Sequence, residues 1–99
     1  MSKNVKLSFS VTGDFDDLEV FANDNRVQVT NGKGEVNDSF STTTLNLRFE
    51  ISGDNGTAYT ITYSCTSDRV KAEDPDNPSP VTGKVQTSGF KRQFIKIPL

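Results

Sequence analysis

The chain has 99 residues, the length of one domain (1–99) with a single modest core. It contains no His, no Trp and one Cys, which excludes a nucleophile paired with an imidazole base. A net charge of −2 excludes general nucleic-acid binding, which needs a basic face against phosphate.

Apolar and polar residues alternate along most of the chain. A period of two puts one set on a buried sheet face and the other in water. Val5, Leu7, Phe9 and Val11 define a strand over 4–11, followed by strands at 18–22 and 26–30. Leu45, Leu47, Phe49 and Ile51 mark 43–52, and Tyr59, Ile61, Tyr63 and Cys65 mark 57–66. The last two strands are 80–87 and 90–97. In the final one, Phe90 and Phe94 share one face while Ile95, Ile97 and Leu99 share the other. Apolar residues on both faces call for burial from two sides, or for one face docking on a partner.

No segment carries the apolar spacing of an amphipathic helix. The fold class is therefore all-β: a two-sheet antiparallel β-sandwich of about seven strands, immunoglobulin-like in architecture. It lacks the buried Trp and paired Cys of antibody domains. A closed barrel is the alternative. The expected core comprises Val5, Leu7, Phe9, Val20, Val27, Val29, Leu45, Leu47, Phe49, Ile51, Tyr59, Ile61, Tyr63, Val85 and Phe94.

Short turns rich in Gly, Asn or Asp close the chain at 23–25, 53–56 and 88–89. Longer connections span 12–17, 31–42 and 67–79, the last with Pro75 and Pro78. If every strand reverses direction, the three long connections fall at one end of the domain. That end would gather Asp14, Asp16, Asp17, Glu35, Asp38, Asp68, Glu73, Asp74 and Asp76. Clustered carboxylates repel unless solvent or a cation screens them, and calcium takes six to eight oxygen ligands. Asp14, Asp16, Asp17, Asp74 and Asp76 are the expected calcium ligands, with Asn77 and Asp38 beside them. The plainer expectation is a set of solvated loops in which Asp caps its own turn. Phe15 and Phe40 lie among these acids, outside the alternating runs, either as contacts for a ligand or as anchors on the end of the core.

The polar remainder is rich in hydroxyls and amides, with 21 Ser and Thr and eight Asn. Such a surface suits carbohydrate recognition as well as an ordinary soluble β-domain. Residues 1–76 carry seven basic and thirteen acidic side chains, a net of −6, whereas 77–99 carry Lys84, Lys91, Arg92 and Lys96 and no acid. Cys65 has no partner for a disulfide and sits on the inward parity of its strand, where a thiol behaves as a small hydrophobe. Glycoside hydrolysis by paired carboxylates needs a deep cleft and aromatic platforms, so we expect no enzyme. No signal peptide or membrane-spanning stretch is read from Met1 onward, an expectation of cytoplasmic residence or export without a leader. The expected function is a non-catalytic binding module for a carbohydrate or protein partner, with calcium as its only expected cofactor. The alternative is a structural subunit of a homo-oligomer, joined through the last strand.

Overall fold

A computed structural model describes residues 2–99. Among them, nine strands form two antiparallel sheets packed face to face as a sandwich. They are β1 (Lys3–Gly13), β2 (Asp17–Ala22), β3 (Asn25–Val27), β4 (Lys33–Phe40), β5 (Thr44–Ser52), β6 (Ala58–Ser67), β7 (Val70–Ala72), β8 (Val81–Lys84) and β9 (Phe90–Pro98). Sheet A runs β4-β1-β6, with β7 and β8 sharing the far edge of β6, and sheet B runs β3-β2-β5-β9.

The two strands beyond the expected seven lie inside presumed loops. β4 fills most of 31–42, and its inward positions are Gly34, Val36, Asp38 and Phe40, of which only Val36 is buried. An edge strand with Gly and Asp on its inner face has no apolar alternation to read. Its Asp38 also blunts the edge against pairing with other chains. β7 is a three-residue strand on the edge of β6.

The core is built from inward positions of both sheets. Val5, Leu7, Phe9, Val11, Tyr59, Ile61, Tyr63 and Cys65 face Val20, Leu45, Leu47, Phe49, Ile51, Ile95 and Ile97, all buried. Phe9 and Phe49 meet edge to face across the layers, with centroids 5.4 Å apart. This geometry adds about 0.5–1.5 kcal/mol to the burial of both rings. Val27 and Val29 are only half-buried against this core. The parity of β9 differs from the expectation: Ile95 and Ile97 face inward and Phe94 points out, 44% exposed. Register decides it, because Ile95 lies opposite buried Leu47 and Phe94 opposite Arg48.

Tyr59 reaches from sheet A to sheet B, where its hydroxyl donates to Gln93 Oε1 at 2.8 Å. Its ring passes over Gly83, where a methyl group would overlap the phenol. We expect Gly83→Ala to lower unfolding free energy by about 1–3 kcal/mol. A urea midpoint equal to that of the wild type would contradict this placement of Tyr59.

Register also fixes which connections share an end. Residues 14–16, 28–32, 53–57 and 85–89 lie at the Gly13 end, and 23–24, 41–43 and 68–69 at the Lys3 end. Because β4 adds a reversal, the long connections do not converge. Residues 73–80 lie at neither end: β7 and β8 run the same way along β6, and this segment bulges out between them.

Candidate functional site

The expected acidic site is dispersed. Asp14, Asp16 and Asp17 lie at the Gly13 end, Asp68 at the opposite end, and Glu35 and Asp38 along β4. Asp74, Asp76 and Asn77 occupy the bulge on the side. Among the described residues, no group of three or more His, Cys, Asp or Glu side chains is placed to hold a metal ion. Phe15 packs against Gly13 and Gly53, and Phe40 lies opposite Lys3 at the other end. Both are half-buried against the core, as anchors at its two ends.

Asp74 is a structural carboxylate. It is 4% exposed, and its Oδ1 accepts the Asp76 N–H at 2.9 Å. Its Oδ2 accepts the Asn77 amide at 3.2 Å and the Lys96 backbone N–H at 2.8 Å. Lys96 belongs to β9, so this bond ties the bulge of sheet A to the edge of sheet B. Tyr63 completes the clasp from below: its hydroxyl donates to the Asn77 carbonyl at 2.7 Å and accepts the Asp74 N–H at 3.1 Å. The Tyr63 N–H, facing the gap between β7 and β8, donates to Ser79 Oγ at 3.0 Å in place of a strand partner. Burial alone raises the Asp74 pKa, but hydrogen bonds from Lys96, Asp76 and Asn77 outweigh it and hold the carboxyl below its ordinary value.

A second group of polar side chains lies elsewhere, on the outer face of sheet A. Three adjoining depressions of about 490, 650 and 400 Å³ run across β4, β1 and β6 and share lining residues. Strand pairing sets their side chains in rows: Lys33–Ser10–Thr62, Glu35–Ser8–Ser64, and Asn37–Lys6–Thr66. Neighbours within a row stand about 4.8 Å apart, and rows about 6.8 Å. Among the described residues, the side chains of Ser8, Ser10, Asn37, Thr62, Ser64 and Thr66 make no hydrogen bond to another protein group, while Ser39 Oγ donates to Asn4 Oδ1. The charged residues around this trough are Lys6, Lys33 and Arg69 with Glu35, Asp38 and Asp68, of which Asp38 borders it from an inward position of the edge strand β4. Of the expected ligand contacts, Asp38 alone lines this trough. The lining residues of β1 and β6 were legible only as outward polar positions of two strands, because nothing local says which strands lie side by side.

The outer face of sheet B has a different character. Arg26, Phe21, Arg48 and Phe94 form one row across all four strands. The Arg48 guanidinium lies over the Phe21 ring, 4.4 Å from its centroid, and contacts Asp24 at 3.0 Å and Glu50 at 3.2 Å. Arg92 shares Glu50 at 3.1 Å.

No protein-family model, curated protein or solved structure matches this chain at a significant level.

Proposed function

We propose that this domain is a non-catalytic binding module that holds an extended, hydroxyl-rich chain, a glycan, along the trough of sheet A. The observation that carries the reading is the array of unengaged hydroxyl and amide side chains across three paired strands, with balanced charge around it. Hydroxyls and amides both donate and accept, which suits a ligand made of hydroxyl groups. Balanced charge favours neither a polyanion nor a polycation.

The non-catalytic part rests on chemistry. Cys65 is buried, and burial pushes its thiol up to about 11, so it is not a nucleophile at neutral pH. Asp74, the most buried acid, spends its oxygens on backbone and amide donors. In this reading protein atoms alone hold the ligand, and Asp14, Asp16, Asp17, Asp74 and Asp76, which lie outside the trough, take no part.

The rival reading, a subunit docked on a partner through a face of the last strand, has Phe94 as the exposed large apolar side chain of the outer β9 face, between Arg92 and Lys96, and the β9 edge is also capped against strand pairing. The Lys96 N–H is taken by Asp74, Pro98 has none to offer, and the Phe94 carbonyl accepts Gln93 Nε2 at 3.1 Å. Light scattering separates the two: a monomer fits the module and a defined oligomer the subunit.

Calorimetry with neutral oligosaccharides tests the proposal. We expect saturable binding that Asn37→Ala and Ser8→Ala each weaken about two- to tenfold, at unchanged melting temperature. Binding that ignores both substitutions, or turnover of the oligosaccharide, would overturn it.

A further inference from the structure

We infer that the opposite face carries a second ligand site, a depression between β5 and β9 that takes a carboxylated sugar. It encloses about 300 Å³, lined by Asn23, Asp24, Asn46, Arg48, Phe94 and Lys96. Its wall is Phe94, the one exposed aromatic among the described residues. An aromatic face in water offers a C–H face of a pyranose ring an apolar surface to stack on, with hydroxyls left for polar neighbours. Those neighbours are present: the Asn46 side-chain amide makes no hydrogen bond to protein, and Asp24 has Oδ2 free beyond the Oδ1 that accepts from Arg48.

Charge selects the kind of sugar. Arg48 is already neutralised by Asp24 and Glu50 and fixed over Phe21. Among the described residues, the Lys96 ammonium is in no ion pair, which leaves the lining with one excess positive charge: Arg48 and Lys96 against Asp24. A neutral sugar would leave that cation unused, while a phosphate dianion would face Asp24 and gain nothing from Phe94. A carboxylate on a stacked ring uses both. The site is also held in shape, since the Lys96 backbone N–H is clasped by Asp74. It shares no residue with the trough, so either site can fail without the other.

Glucuronate, glucose and acetate are the probes, and proton–nitrogen NMR of the intact domain is the readout. We expect glucuronate to move the Asn46, Phe94 and Lys96 amides saturably, and glucose to do so about two- to fivefold more weakly, the range of one exposed ion pair. Acetate should leave them unmoved. Phe94→Ala, a surface change that the fold tolerates, should abolish both responses, and Lys96→Met should bring glucuronate down to the glucose level. No saturable shift with glucuronate, an equal response to acetate, or a preference that survives Lys96→Met would overturn the inference.

Discussion

Replacing Asp74 with alanine should cost about 3–5 kcal/mol, a large part of the stability of a domain this size. The carboxylate accepts from two backbone N–H groups and one side-chain amide while almost fully buried. Alanine leaves the Asp76 and Lys96 donors without partners, each at about 1–3 kcal/mol. Asp74→Asn should recover only part of the loss, because its NH₂ turns a donor toward a donor. The pH dependence has a definite sign. The folded carboxyl is held below its ordinary value of 3.8, so its contribution is complete above that value and is lost as pH falls through the lowered folded one. Urea unfolding at neutral and acid pH should therefore show wild type and Asp74→Ala far apart at about pH 7 and converging below about pH 4. A constant gap would mean that the ionised carboxylate is not the stabilising species. Hydrogen exchange adds a local readout, since the Lys96 amide should lose protection in the variant.

Leu47→Ala is the second large effect, about 2–5 kcal/mol. Leu47 is fully buried at the centre of sheet B, between Ala22 on β2 and Ile95 on β9. The cost joins lost transfer energy to a cavity that strands fixed on both sides cannot close. Phe94→Ala removes a larger side chain two positions from Lys96 and should cost less than about 1 kcal/mol, because its ring is on the surface. The pair of measurements checks the parity of β9, and an equal loss from both would place Phe94 in the core.

That parity marks the limit of what local pattern could say. In β1, β5 and β6 one face is apolar and the other polar, so Leu7, Leu47 and Ile61 were legible as core from alternation alone. β9 has apolar residues on both faces, and only its register against β5 assigns Ile95 inward. β4 was illegible because Gly34 and Asp38 sit where apolar residues would signal a strand. Missing that strand moved every later connection to the wrong end and gathered acids that the fold scatters. Asp74 shows the same limit in a side chain. Its neighbours in sequence look like ligands for a cation, but its deciding partner, the Lys96 N–H, lies on a strand 22 residues away. The trough was half-legible: the hydroxyls of Ser8, Ser10, Thr62 and Ser64 read as outward, and their assembly into one surface came from the pairing of β1 with β6 and β4.

The central claim is that the trough of sheet A is where this domain meets a glycan. A proton–nitrogen NMR titration with neutral oligosaccharides tests it most directly. The account predicts saturable shifts concentrated at residues of β4, β1 and β6, including Glu35, Asn37, Ser8 and Ser64, with the Gly13-end loop 14–16 unmoved. Shifts centred on that loop, or none with any neutral oligosaccharide, would contradict it.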